Sequence, residues 1–96
     1  MKNLKEQFEE YLISLGYSVE TPKRHPSTVY DYCKRVERVC SVEKLTWESL
    51  AEQIDFIVSE YDIGGIKEND GKKSHNAVIN ALKRYCDFIK YKQIEQ

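Results

Sequence analysis

The sequence predicts an all-α fold, a bundle of four helices arranged as roughly two antiparallel pairs. Three observations support this: apolar residues recur at helical spacing in four segments, turn residues separate those segments, and the chain holds only four Gly and two Pro. With 96 residues, we expect a single domain over residues 1–96, able to fold alone but only marginally stable.

The first helix is predicted over residues 4–15. Asn3 is a suitable N-cap, with Glu6 as its reciprocal partner, and Gly16 is well placed to end the helix. The buried stripe consists of Leu4, Phe8, Tyr11, Leu12 and Leu15. The following YSVETPKRHP carries both prolines and no periodicity, which predicts a connecting loop.

The second helix is predicted over residues 27–40, with Ser27 as its cap after Pro26. Its apolar side consists of Val29, Tyr32, Cys33, Val36, Val39 and Cys40. Its opposite side carries Asp31, Lys34, Arg35 and Arg38. The helix is therefore predicted to bury one face and expose a largely basic one.

The third helix, residues 47–61, has the clearest start signal. Thr46 is the expected cap, Glu48 complements the helix dipole, and Leu45 and Leu50 occupy the hydrophobic-staple positions. The inward-facing residues are Trp47, Leu50, Ile54, Ile57, Val58 and Tyr61. Phe56 falls outside this stripe, so we expect it to contact the N-terminal helix or a partner.

The fourth helix is predicted over residues 74–92, after a chain reversal in DIGGIKENDGKK. Its buried stripe consists of Val78, Ala81, Leu82, Tyr85, Phe88 and Ile89. Its other face presents Asn76, Asn80, Lys83, Asp87 and Lys90. This polar face is either solvated or reads a ligand.

The net charge of −1 conceals an asymmetry along the chain. Residues 46–70 hold one lysine against seven acids, whereas residues 71–96 hold six basic residues against two acids. This pattern predicts one side that repels polyanions and another that attracts them.

Several classes of protein are not expected. No apolar run is long enough to cross a membrane and the N-terminus lacks a secretory signal, so we expect a cytoplasmic protein. Cys33, Cys40 and Cys86 fit reduced core thiols, and no metal-ligand spacing is present. His25 and His75 lack catalytic partners, so we expect no enzyme activity from this chain, no cofactor and no small-molecule substrate.

Lys, Arg and Asn on one helix face are the groups that contact duplex DNA, because Lys and Arg bind phosphates, Arg reads guanine and Asn reads adenine. Composition alone favours a solvated basic face over a binding face. This preference is modest, so composition does not decide between a solvated face and a binding face.

The order of motifs resembles the N-terminal core-binding domain of phage integrases and other tyrosine recombinases, a SAM-like helical domain. The resemblance covers almost the whole chain. It rests on HPSTVYDYCKRVERVC, KLTWESLAEQIDFIV and KKSHNAVINALKRYCDFIKY, with LKEQFEEYLISLGY matching the first helix of the family.

The resemblance implies a DNA-binding domain of a site-specific recombinase, with strand cleavage in a separate C-terminal domain. Its partners would be double-stranded DNA and other recombinase protomers on that DNA. The matching faces of helices 2 and 4 imply ten DNA-binding residues: Lys34, Arg35, Arg38, Lys72, Lys73, Asn76, Asn80, Lys83, Arg84 and Lys90. Lys23, Arg24 and His25 would add phosphate contacts from the loop.

A helical protein-interaction module without DNA binding is the alternative. Its contact surface would be the acidic third helix together with Phe56.

Overall fold

A computed structural model describes residues 2–17 and 28–95 of the protein. In chain order, its helices are α1 (Leu4–Ser14), α2 (Thr28–Glu43), α3 (Trp47–Glu52), α4 (Ile54–Tyr61), α5 (Glu68–Gly71) and α6 (Lys73–Glu95). No strand occurs in the described residues, so the prediction of an all-α protein is confirmed there. The predicted count of four helices is corrected to six within these ranges.

Both ends of helix α1 are set by local interactions: a side-chain cap at its start and a glycine after its end. Asn3 Oδ1 accepts a hydrogen bond from the Glu6 N–H at 2.9 Å, as the capping pattern predicts. Beyond the helix, Gly16 adopts φ 98°, and the N–H of Tyr17 donates to the Leu12 carbonyl at 3.2 Å. Gly16 therefore ends α1 in the left-handed conformation that glycine adopts without a steric penalty.

Helix α2 continues to Glu43, three residues beyond its predicted end at Cys40. It ends at Lys44, which has φ 57°, while the Leu45 N–H donates to the Cys40 carbonyl at 2.8 Å. The usual signal for this ending is glycine, and here a lysine occupies the position. The predicted cap Ser27 and the preceding loop lie outside the described residues.

The predicted helix 47–61 is wrong as one continuous element, because it is divided at Gln53 (φ −114°, ψ 14°) into α3 and α4. The Gln53 N–H donates to the Leu50 carbonyl, three residues back, which tightens the last turn of α3. The predicted cap is confirmed: Thr46 Oγ1 accepts from the Ser49 N–H at 3.0 Å.

The segment between α4 and α6 contains a further short helix, α5, that the turn signals did not predict. Gly71 lies so close to the Tyr61 carbonyl that a Cβ atom on Gly71 would be 2.0 Å from that oxygen. Glycine therefore allows α5 to pack on the end of α4. Helix α6 begins at Lys73 and ends at Glu95, extending beyond its predicted range at both ends.

Helix α6 is the central element and packs against α1, α2, α3, α4 and α5. Tyr85, fully buried, donates a hydrogen bond from its hydroxyl to the Trp47 carbonyl at 2.7 Å. Its ring lies 5.2 Å from the Trp47 ring and 5.3 Å from the Phe8 ring. This cluster joins α6 to the start of α3 and to α1.

The three cysteines are free thiols in the core. Burial raises the pKa of the Cys33 thiol to about 12 and that of Cys40 to about 11. Burial also raises the pKa of the Cys86 thiol, which donates a hydrogen bond to Asp55 Oδ1 at 3.4 Å. These thiols stay protonated and pack as small apolar side chains.

Candidate nucleic-acid interface

Three basic side chains lie together on α2: Lys34, Arg35 and Arg38, which we call the α2 basic face. Lys34 and Arg38 are exposed, and neither forms an ion pair with any residue that the structure describes. The Lys34 ammonium lies 6.0 Å from the centre of the Tyr30 ring. With respect to residues 2–17 and 28–95, these two cations are therefore available to an anionic ligand.

Arg35 is more enclosed than its two neighbours. Its Nε lies 3.4 Å from Asp31 Oδ1, one helical turn earlier, but this nitrogen is buried and lacks a hydrogen-bond partner among the described residues. The contact with Asp31 is therefore electrostatic and not a well-directed hydrogen bond. Of the three, Arg35 is the cation whose charge is partly compensated within α2.

The α2 basic face borders a groove of about 500 Å³ between α2, the end of α4, α5 and the start of α6. Its full lining is Lys34, Arg35, Arg38, Val39, Val42, Tyr61, Asp70, Lys73 and Val78. Four cations and one carboxylate surround apolar side chains, and we call this the basic groove. The structure thus brings the predicted residues of α2 together with Lys73 of α6.

The predicted residues just before and at the start of α6 are paired with α5. Lys72 Nζ lies 2.5 Å from Glu68 Oε2, and Lys73 Nζ lies 3.1 Å from Asp70 Oδ1. The hydrogen bond from Lys72 lowers the pKa of the Glu68 carboxyl, with a further contribution from the Gly64 N–H. The acids of α5 therefore offset part of the charge of this segment.

Asn80, Lys83 and Arg84 form a second site on α6. With Tyr32 and Asp87 they line a smaller groove of about 400 Å³. Asn80 is exposed, as a base-reading amide would need to be.

Both cations of this second groove already contact acids. Lys83 Nζ lies 3.3 Å from Asp62 Oδ2, and an Arg84 nitrogen lies 3.6 Å from Asp87 Oδ2. Arg84 also lies 5.7 Å from the centre of the Tyr17 ring. A hydrogen bond from the Ile63 N–H and one from Lys83 lower the pKa of the Asp62 carboxyl. An anionic ligand must therefore compete with Asp62 and Asp87.

Three predicted residues line neither groove: Lys72, which pairs with Glu68, together with Asn76 and Lys90. Lys90 contacts Asp55 at 3.5 Å, and the neighbouring Cys86 and Asp55 raise the pKa of its ammonium. Asn76 has φ 69°, a left-handed conformation that asparagine tolerates better than most residues. This backbone departs from regular helix, so helical spacing alone does not align Asn76 with Asn80.

The structure does not keep the acidic segment 46–70 apart from the basic segment 71–96. Four lysines of the second segment, at positions 72, 73, 83 and 90, each contact an acid of the first. The charge asymmetry in the sequence is thereby reduced on the folded surface. Among the predicted DNA-binding cations, Lys34 and Arg38 are those that form no ion pair within the described residues.

A charged cluster beside the basic groove gave no signal in the sequence. Lys67 Nζ contacts both carboxylate oxygens of Glu43, at 2.5 and 2.7 Å, and lies 3.7 Å from Glu60 Oε1. The Tyr61 hydroxyl donates to Glu43 Oε2 at 3.1 Å. Burial, together with Glu43, raises the pKa of Tyr61, and the hydrogen bond with Glu43 raises that of Lys67. The cluster fixes the groove wall that Tyr61 forms.

Other kinds of site are not found in the described residues. They contain no group of three or more His, Cys, Asp or Glu side chains placed to hold a metal ion. None of the described helices combines the length and the apolar character that crossing a membrane requires. Lys23, Arg24 and His25, predicted to contact phosphates, lie outside residues 2–17 and 28–95.

Comparison of the chain with protein-family models, with curated proteins and with solved structures finds no match.

Proposed function

We propose that the protein is a duplex-DNA-binding domain whose main phosphate contacts come from Lys34 and Arg38 of α2, with Lys73 across the basic groove. The observation that carries this proposal is the pair of exposed cations without an ion-pair partner among the described residues, beside a groove with four cations and one carboxylate. Phosphate oxygens are the usual targets of such side chains in protein–DNA complexes.

The α6 face has a secondary role in this proposal. Asn80 is exposed and lines the second groove together with Lys83 and Arg84, and its side chain has the amide that pairs with adenine in the major groove. Lys83 and Arg84 can exchange their surface carboxylate partners for phosphates, because exposed ion pairs contribute little stability. They therefore adjust the fit, while the α2 basic face supplies most of the attraction.

The resemblance in the sequence supports a more specific form of the proposal. The domain would be the core-binding half of a phage-integrase-like tyrosine recombinase, with a SAM-like arrangement of its helices. In that family a separate domain carries out strand cleavage, so this chain would bind DNA without catalysing the reaction. Duplex DNA is then its partner, and the cytoplasm its place of action.

The test is a titration of the protein with random-sequence duplex DNA at increasing salt. If Lys34, Arg38 and Lys73 each neutralise one phosphate, log K falls against log salt with a slope of about −3. For Lys34→Glu/Arg38→Glu we expect at least a tenfold loss of affinity at low salt and a slope near −1. Both residues are exposed, so the variant should unfold at a temperature close to that of the parent.

A matched control separates contact at this site from a change in net charge. Lys2→Glu/Lys5→Glu, just before α1 and in its first turn, alters the net charge by the same amount at two residues that do not line the basic groove. We expect it to retain most of the DNA affinity, with folding checked by circular dichroism. Equal losses in the two double variants, or an affinity independent of salt, would contradict the proposal.

A second candidate function, a protein-interaction module, is favoured by one observation. Phe56 on α4 is 57% exposed, although aromatic rings normally add to the core. The neighbouring Glu52 and Asp55 are also exposed. The alternative predicts that Phe56→Ala disrupts a protein contact without changing DNA affinity.

A further inference from the structure

DNA binding leaves one property of the basic groove unused, namely its apolar floor. Val39 and Val78 are buried there, and Val42 lies on the α2 side with 59% of its surface exposed. Lys34, Arg35, Arg38 and Lys73 form the charged rim of this groove. DNA phosphates would contact these rim cations and would not need the aliphatic side chains of the floor. A groove with this floor and this rim fits an apolar side chain flanked by carboxylates.

The protein carries a surface with that chemistry on α3 and α4. Phe56 is exposed, with Glu48, Glu52 and Asp55 exposed on the same pair of helices. Among the described residues, the cation that pairs with these acids is Lys90, which contacts Asp55. We call this the Phe56 surface. It presents an aromatic ring together with several negative charges.

The basic groove and the Phe56 surface lie at different positions along the axis of α6. Asp55, beside Phe56, accepts a hydrogen bond from Cys86, whereas the basic groove is lined by Val78 of the same helix. Eight residues of α helix separate these two positions by about 12 Å along the axis. The Phe56 ring of one copy therefore does not fill the groove of that copy, and both surfaces are available to a second copy.

We propose that a second copy of this chain occupies the basic groove. Its Phe56 ring packs over Val39, Val42 and Val78, and its Glu52 and Asp55 face the rim cations Lys34 and Arg38. Opposite charges border apolar side chains on both surfaces, so the contact buries the ring and brings complementary charges together. The inference does not depend on DNA binding, because it concerns the protein alone.

The geometry sets the type of assembly. The groove and the Phe56 surface are different patches, so the contact is heterologous, and each added copy leaves one free groove and one free Phe56 surface. Association of this kind continues into longer oligomers, or closes into a ring where the rotation allows. A small contact predicts weak association, visible between about 10 µM and 1 mM protein.

Sedimentation velocity of the full chain at low salt tests the proposal. The average mass of the parent should rise with concentration and fall again when salt is added. Phe56→Ala and Val42→Glu should each weaken association at least tenfold, and both side chains are exposed enough to be replaced without loss of folding. Ile94→Ala is the matched control: Ile94 is 85% exposed but lies at the end of α6, so this variant should associate like the parent.

Mixing the two variants gives the sharpest result. Phe56→Ala retains the groove and Val42→Glu retains the Phe56 surface, so an equimolar mixture should form dimers that grow no further. A mixture that stays monomeric, or a parent that is monomeric at 1 mM, overturns the proposal. Phe56→Ala should bind DNA like the parent, so failure of this proposal is distinguishable from failure of DNA binding.

Discussion

Helices α2 and α6 both expose a face rich in lysine and arginine, yet the fold treats the two faces differently. On α6, Lys83 and Lys90 contact Asp62 and Asp55 of the segment before it. On α2, Lys34 and Arg38 have no ion pair among the described residues. Within the described residues, the same residue types therefore form a largely paired surface on α6 and a surface on α2 in which only Arg35 has an ion-pair partner.

The difference shows that counting charges along a helix does not measure its attraction for a polyanion. Each lysine that contacts a carboxylate must give up that contact before it binds a phosphate, so its net contribution is smaller. An unpaired cation has no such contact to give up. Lys34 and Arg38, which form no ion pair within the part of the chain that the structure describes, are thus the better candidates for initial DNA contact, although α6 carries more polar residues.

Alkaline pH is expected to have the largest effect on stability, because it acts on the buried thiols of the core. Burial holds the pKa of Cys33 at about 12 and of Cys40 at about 11, against an ordinary value of 9.0. Above pH 9 the unfolded chain loses these thiol protons while the folded state retains them. The free energy of unfolding is therefore unaffected by these thiols below pH 9 and falls as the pH rises further. Urea unfolding should show a loss of about 3 kcal/mol between pH 8 and 10.

The control for this prediction is Cys33→Ala/Cys40→Ala, whose stability should depend less on pH over the same range. An unchanged free energy of unfolding between pH 8 and 10 would contradict the interpretation of these thiols as protonated core residues.

Replacement of Lys67 by leucine tests how much the charged cluster of Lys67, Glu43 and Glu60 stabilises the protein. The change leaves Glu43 and Glu60 without their shared cation and should destabilise the protein by about 1 to 2 kcal/mol, less than a fully buried pair because Lys67 keeps contact with water. Chemical unfolding measures the loss. Lys72→Leu, which breaks a more exposed pair with Glu68, should cost less.

Lys83→Glu/Arg84→Glu tests the contribution of the α6 face to DNA binding. These cations already contact Asp62 and Asp87, so their reversal should reduce DNA affinity less than Lys34→Glu/Arg38→Glu does at the same net charge. The DNA titration at low salt compares the two variants directly. A larger loss from the α6 variant would reverse the assignment of the two faces.

The sequence predicts the parts of this fold that local interactions decide. The caps at Asn3 and Thr46 depend on residues three positions away, and both hydrogen bonds are present. The break at Gln53 and the left-handed Lys44 lack the glycine or proline that would signal them. Tertiary packing therefore determines these boundaries beyond what residue type indicates.

The candidate site follows the same division. Helical spacing places Lys34, Arg35 and Arg38 on one face, which the sequence shows directly. Their meeting with Lys73 depends on how α6 packs against α2, and the pairing of Lys83 with Asp62 depends on how it packs against α4. Periodicity describes one helix at a time, so it does not show which charges meet.

The contact between Tyr85 and Trp47 has a practical consequence for spectroscopy. Trp47 is the single tryptophan of the chain, and its ring packs at 90° to that of Tyr85 and 6.1 Å from that of Phe8. Separation of α1, α3 and α6 would expose the indole to water and shift its emission to longer wavelength. The native fluorescence of the protein therefore reports the docking of three helices, while neither proposed binding surface contains the fluorophore.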